Sequence, residues 1–287
     1  LILSRKSGRP VKMMMDRDEV FRASGPASAA RLTVKVGGKK DGTITAMQTS
    51  IAYEAGAFKG SPAMIGGMTA FTPYNCPNVY CETFDVVVNK PKVAAYRAPG
   101  APQAEFGAEM AVSELAEKLG IDPVDLRLQN AAKEGTQTVY GPKLKAVGLV
   151  ECLEAAKNSP HYKTELKEGE GRGIASGFWF NIGGQSSVTI NMNPDGTGTI
   201  VEGSPDIGGS RASMQMMAAE ELGIPLNDLK PIIGDTESIP YNQSTGGSRT
   251  TFATGMAVIE AAQDVVQQLK ERAASLWNVT PDQVEWR

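Results

Sequence analysis

The order of apolar and polar positions divides the chain into short alternating stretches and longer helical ones. Leu32, Val34 and Val36 alternate with Thr33 and Lys35, and the Gly37 to Gly42 segment leads into Thr43-Ile44-Thr45-Ala46. This predicts a β-hairpin turned on Asp41-Gly42. Val11 to Met15 is a short apolar run that reads as a buried strand, and Val79 to Val88 is another strand. Between them, Gly56 to Pro73 has neither period and reads as a loop. From Gln103 the apolar positions Ala108, Val112, Leu115 and Leu119 fall on one helical face, with Gly120 as the stop. Asp122 as N-cap and Pro123 in the first turn predict a second helix over Val124 to Ala131, and Leu149 to Lys157 a third.

The pattern then lapses. Asn158 to Arg172 is charged and aperiodic, so the domain boundary is placed there, giving units of residues 1–160 and 161–287. Gly173 to Phe180 predicts a strand. Val188, Ile190 and Met192 alternate with polar residues, and Asn193-Pro194-Asp195-Gly196 turns the chain back into Thr197 to Val201. Leu229 to Ile233 is a further strand. The predicted class is α+β, two mixed α/β subdomains with hairpins packed on helices.

Two helical stretches in the second half begin alike. Gly208-Gly209-Ser210-Arg211 precedes Met214, Met217, Ala218 and Leu222, and Gly246-Gly247-Ser248-Arg249 precedes Phe252, Met256, Ile259, Val266, Leu269 and Leu276. The tetrads start 38 positions apart. Paired glycines permit positive φ and a close backbone approach, Ser can cap a free N–H, and Arg adds donors to the positive helix end. Two such loops suit a large anionic ligand.

Composition narrows the chemistry. The 287 residues carry 29 Lys+Arg against 32 Asp+Glu and are 41% hydrophobic, so any anion site is local and there is no general attraction to nucleic acid or membrane. Cys76, Cys81 and Cys152 lack C-x-x-C spacing and read as buried free thiols. With His161 as the only histidine, a Ser-His-Asp triad or a multi-His metal site is disfavoured, which points to chemistry carried by a cofactor. There is no G-x-G-x-x-G or Walker A motif. Glu202 and Glu237, at a strand end and in a turn, read as solvated carboxylates.

Longer motifs carry a resemblance. Ala95-Tyr96-Arg97-Ala98-Pro99-Gly100-Ala101-Pro102-Gln103 through Glu109, Asp122-Pro123 and Leu126 to Asn130, Asp206 to Ser210 through Ile224, and Gly234-Asp235-Thr236 through Thr250 resemble the molybdenum-binding subunit of the xanthine dehydrogenase, aldehyde oxidase and carbon monoxide dehydrogenase family. The resemblance implies the molybdopterin-binding fold of molybdenum hydroxylases, with a first molybdopterin-binding domain in residues 1–160 and part of a second in 161–287. It implies a molybdenum–molybdopterin cytosine dinucleotide cofactor held by Gly208, Gly209, Ser210, Arg211, Gly246, Gly247, Ser248, Arg249 and Thr250. Arg97 would sit near the metal, and Ala98 and Pro99 would face the substrate. Iron–sulfur and FAD subunits would be the partners in a cytoplasmic hetero-oligomer, with periplasmic export the alternative location, and the reaction would hydroxylate an aldehyde or N-heteroaromatic carbon with oxygen from water. The alternatives are an acyl-CoA aromatic reductase subunit, or a cofactor-free binding or assembly module of the same fold. Ala98 stands where carbon monoxide-oxidising members carry a copper-binding Cys. Pro99 replaces a Phe that stacks on purines, Ile65 falls near the xanthine-binding Arg, and the first loop lacks the family's Gln. The family's glycine-rich loop belongs before Leu1 and its glutamate general base after Arg287, so the chain reads as an internal fragment and no general base is assigned.

Overall fold

The structure, a computed structural model, describes residues 1–180, 182–239 and 241–286. The chain divides into two compact units, Leu1–Trp179 and Phe180–Arg287. The aperiodic segment from Asn158 to Arg172, with a four-residue helix within it, belongs to the first of them.

In the first unit two short helices, α1 (Ile2–Ser7) and α2 (Arg17–Ala23), bury none of their residues. They lead into β1 (Ala30–Gly38), β2 (Ile44–Gly56), α3 (Ala63–Thr69), β3 (Val79–Val87) and α4 (Ala101–Leu119). The expected hairpin is present: β1 pairs antiparallel with β2, which lies between β1 and β3 and pairs parallel with β3. Alternation places Met47, Thr49, Ile51, Tyr53 and Ala55 of β2 on the buried face. Full burial of a side chain such as Ile51 is worth about 1.5–3 kcal/mol. On α4, Ala104, Ala108, Val112 and Ala116 recur at four-residue steps and are almost wholly buried in the same core. Gly120 at φ 66 ends α4, and its N–H bonds to the Ala116 carbonyl.

Asp122 then caps α5 (Pro123–Asn130), accepting from the N–H groups of Val124 and Asp125. Asn130 ties α5 to the β1–β2 turn: its Nδ2 donates to the Gly42 carbonyl at 2.9 Å, and its Oδ1 accepts from Ile44 N at 2.9 Å. The third expected helix, α6 (Leu149–Asn158), buries Leu153 beside Val124, and the short α7 (Pro160–Lys163) follows it.

Three expectations for this unit fail. Val11 to Met15 is not a strand; Met13 and Met14 are 78% and 88% exposed, because no neighbouring strand supplies a ladder for an isolated run. Part of the Gly56 to Pro73 loop is α3, whose Gly66 and Gly67 are helical despite their low propensity. A Cβ on Gly66 would lie 2.0 Å from the Tyr53 hydroxyl, so the tight packing selects glycine there. Gly173 to Phe180 is irregular rather than a strand, pinned instead to carboxylates of α4. Of the thiols, Cys76 and Cys81 are partly buried but Cys152 is exposed, since it lies on the outer side of α6.

The second unit repeats the plan. β4 (Val188–Met192) and β5 (Gly198–Glu202) form the expected hairpin, α8 (Ser210–Leu222) crosses over, and β6 (Leu229–Ile233) pairs parallel with β5. A π-helical turn, Thr250–Thr254, then opens α9 (Gly255–Trp277). Met214, Ala218 and Leu222 of α8 are buried as their spacing predicts, with Met217 packed beside them. The expected apolar stripe of α9 is only partly the buried one. Phe252, Met256 and Leu276 are 51%, 44% and 71% exposed, and α9 instead buries Gly255, Val258, Ala262 and Ala274. Gly255 fixes that phase, since a Cβ there would lie 2.6 Å from Met217 Sδ. Both units therefore follow one order: hairpin, helical crossover, parallel strand, loop, long helix. Among the described residues no helix is long and apolar enough to cross a membrane.

Candidate functional site

In the first unit the expected site residues lie on the loop that enters α4. Ala98 has φ 54 and Gly100 φ 84, so two residues of four adopt the left-handed region, at a cost of roughly 1–2 kcal/mol for the alanine. The surroundings enforce that shape. Tyr53 Oη donates to the Gly100 carbonyl at 2.6 Å, the Ala101 N–H donates to the Ala98 carbonyl at 3.1 Å, and Gln103 Nε2 donates to the Ser28 carbonyl at 2.9 Å. Gly100 lies against the start of α3, where a Cβ would meet the Pro62 carbonyl at 2.6 Å. Arg97 is exposed, and it lines a 140 Å³ pocket with Tyr96, Pro99, Pro62 and Gln103. Ala98 is half-buried beside it, and Ile65 lies on α3.

Tyr53 was not singled out by the sequence, although the inward alternation of β2 marks it as a core position. Beneath the loop, α4 carries two carboxylates one turn apart. Glu109 is buried against Arg127 at 2.8 Å, also accepts the Ser176 N–H at 2.7 Å, and receives the Tyr74 hydroxyl. Glu105 accepts the Phe178 N–H at 2.8 Å. Burial, opposed by that hydrogen bond and reinforced by the nearby Glu109 charge, pushes the Glu105 carboxyl up to about 7.

In the second unit the first tetrad lies at the head of the 13-residue α8. Gly208 and Gly209 have φ 63 and 86, and an added Cβ at either would meet no atom within 4 Å. Both glycines are exposed, so the approach to their backbone is open. Ser210 is buried and does not cap the first helical turn; its hydroxyl closes its own loop, accepting from Ile207 N at 3.3 Å and donating to the Pro205 carbonyl at 3.4 Å. Arg211 is half exposed and pairs with Asp206 at 3.6 Å, and its N–H donates to the same carboxylate at 3.2 Å.

The second tetrad differs. Gly246 is open, Gly247 lies over Ile182, and Ser248 is exposed with φ 61. Among the described residues only three other than glycine have positive φ: Ala98, Ser248 and Asn278. Asn278 ends α9, where such a conformation is routine, whereas the other two fall within the motifs singled out from sequence, as strain at a functional site does. Arg249 is 1% exposed and its donors are engaged within the protein. Its guanidinium donates to the carbonyls of Gly183, Gln185 and Gln243 and to Ser186 Oγ, at 2.6–3.0 Å. It therefore shapes the loop rather than presenting a free charge. Thr250 is half-buried, its hydroxyl 3.3 Å from that of Thr245.

Glu202, expected to be solvated, is 3% exposed. Burial raises its carboxyl above the ordinary range, and the amide and hydroxyl of Ser204 pull it back down. It lies at the end of β5, the central strand, paired with Val188 on one side and Ile233 on the other. Glu237 is exposed in its turn.

Two family models, both described as a molybdopterin cofactor-binding domain, match residues 1–131 and 146–287. The chain is 29% identical to the xanthine dehydrogenase molybdenum-binding subunit of Escherichia coli O157:H7, over 95% of its own length and 39% of that protein. Its fold matches the aldehyde oxidoreductase of Desulfovibrio desulfuricans ATCC 27774 with a TM-score of 0.79 at 27% identity, covering 92% of this chain and 31% of the other. Quinoline 2-oxidoreductase from Pseudomonas putida 86 shares the fold at 21% identity, with a TM-score of 0.81 over 99% of this chain and 40% of the other. The chain thus spans about two fifths of the length of the curated bacterial relative it matches.

Proposed function

The chain belongs to the molybdopterin cofactor-binding family of the xanthine dehydrogenases and aldehyde oxidases, and on that premise we propose that it is the cofactor-holding part of a molybdenum hydroxylase. The substrate class is an aldehyde or an N-heteroaromatic ring, hydroxylated with oxygen from water. Residues 1–160 form the first cofactor-binding domain in this reading, and 161–287 part of the second. When bound, the molybdenum centre supplies the two-electron oxidation of the substrate carbon.

The residues of the chain hold and orient. Gly208 and Gly209 leave room for a pterin or pyrophosphate group to reach backbone N–H groups at the positive end of α8. Gly246, Gly247, Ser248 and Thr250 form the second contact, with Arg249 shaping the turn from behind. Arg211, half exposed and paired with Asp206, would share its charge with the ligand. In the first unit the exposed Arg97 would supply a cation near the metal, and Ala98 and Pro99 would border the substrate. The small, non-aromatic Pro99 gives a flat purine no ring to stack on. The cofactor is the cytosine dinucleotide form, and electrons leave through iron–sulfur and FAD subunits of a cytoplasmic hetero-oligomer.

The observation that carries this reading is the unfilled space over Gly208 and Gly209 at a helix N-terminus. It is tested by Gly209→Val, with Gly120→Val as control. Gly120 has a left-handed φ of 66 and equally open surroundings, but it ends α4 in the first unit and belongs to neither tetrad. Both variants carry backbone strain of about 1 kcal/mol or more. In the complete enzyme only Gly209→Val is expected to lose bound molybdenum and nucleotide; equal retention by the two variants would refute the assignment.

A further inference from the structure

The two tetrad loops of the second unit are joined by a run of hydrogen bonds that is buried at its centre. Arg249, from the second loop, donates through Nη2 to Ser186 Oγ at 2.6 Å. Ser186 Oγ lies 2.9 Å from Thr254 Oγ1, and Thr254 Oγ1 lies 2.9 Å from Ser204 Oγ. The Ser204 amide donates to Glu202 Oε2 at 2.5 Å. Two residues beyond Ser204 is Asp206, which holds the start of α8 through Arg211. Thr254 and Ser204 are 0% and 3% exposed, so water does not complete the bond between them, while Ser186 at the outer link is half-buried.

The guanidinium end only donates, so Ser186 Oγ accepts from Arg249, and each hydroxyl along the run can both accept and donate. Hydrogen bonds in series polarise one another. Thr254 is the central link, and it closes the π-helical turn before α9; such turns recur at functional sites.

We propose that Thr254 is a positioning residue whose hydroxyl couples the two glycine loops, so that they are held as one cradle. The proposal rests on the cofactor reading for its purpose, but the coupling itself is a property of this chain and is measurable without cofactor. Arg249, Ser186, Ser204 and Glu202 transmit the constraint.

The test compares Thr254→Val, which keeps the shape and removes the hydroxyl, with Thr254→Ser, which keeps the hydroxyl and removes a methyl. Amide hydrogen exchange is read at residues 182–187, 203–211 and 243–249, together with molybdenum and nucleotide retained by the complete enzyme. Thr254→Val is expected to speed exchange about tenfold in all three segments and to lower cofactor retention severalfold, while Thr254→Ser stays near the parent. Ser186→Ala, which breaks the run on the far side of Thr254 at a partly exposed residue, is expected to speed exchange in 203–211 as well.

The proposal is overturned if Thr254→Val leaves 203–211 unchanged, if Thr254→Ser is as damaging as Thr254→Val, or if Ser186→Ala acts only within 182–187. Loosening of all three segments in an enzyme that holds no cofactor even as wild type would uphold the coupling and remove the cofactor reading alone.

Discussion

Arg127 is a fully buried cation of the first unit whose removal strands a buried carboxylate. Its side chain is 0% exposed and that of Glu109 7%. The guanidinium donates to Glu109 Oε2 at 2.8 Å, to the Pro123 carbonyl at 3.0 Å, to Ser113 Oγ at 3.0 Å and to the Glu109 carbonyl at 3.3 Å. Arg127→Met keeps much of the aliphatic volume but leaves the Glu109 carboxylate buried beside only Ser176 N and the Tyr74 hydroxyl. Stranding one partner of a buried pair costs about 3–5 kcal/mol. Glu109→Gln alone strands the arginine and is also expected to destabilise. Added to Arg127→Met, however, it removes the stranded charge while keeping a carbonyl acceptor, and is expected to recover about 2 kcal/mol. The assay is urea unfolding of the four proteins followed by circular dichroism. The decisive result is the change of sign: Glu109→Gln destabilises the parent and stabilises Arg127→Met. Equal loss in both backgrounds would refute the account of a charge pair held by mutual need.

Glu105 gives a pH dependence. Its folded pKa of about 7 lies above the ordinary 4.5, so between these values the folded state binds more protons than the unfolded one and stability falls as pH rises through that window. The full shift corresponds to ~3 kcal/mol, reduced by partial exposure to about 1–2 kcal/mol. Glu105→Gln keeps an acceptor for Phe178 N, and should match the parent near pH 4 but exceed its stability by that amount at pH 8; parallel stability curves would contradict the burial argument. Tyr53→Phe removes the donor to the Gly100 carbonyl and is expected to cost about 1 kcal/mol and to speed amide exchange at Ala98, Gly100 and Ala101; unchanged exchange there would show that the loop holds its shape without Tyr53.

The elements most legible in the sequence were those specified by neighbours along the chain. α4 and α5 announced themselves by four-residue apolar spacing, the Gly120 stop and the Asp122 cap, all local interactions. Both hairpins were legible from alternation and turn residues. What was missed depends on distant partners. Gly66 and Gly67 are poor helix formers, and α3 exists because Tyr53 and Thr83 occupy the space their side chains would need. Val11 to Met15 has strand composition but no paired neighbour, and a strand exists only in a ladder. At the candidate site the glycine pairs and Arg97 were visible as motifs. The fate of the arginines was not, because sequence records that Arg249 is charged and not that four acceptors from Gly183, Gln185, Ser186 and Gln243 enclose it. Glu202 is the same lesson with the opposite charge: it ends the central strand of its sheet, and its neighbours on β4 and β6 come from distant parts of the sequence.

The central claim is that the glycine loops hold a molybdopterin dinucleotide. It is tested most directly by measuring molybdenum in the complete protein, purified natively with whatever subunits accompany it, and identifying the nucleotide released by acid. The account predicts stoichiometric molybdenum with CMP. Native protein containing neither would contradict it.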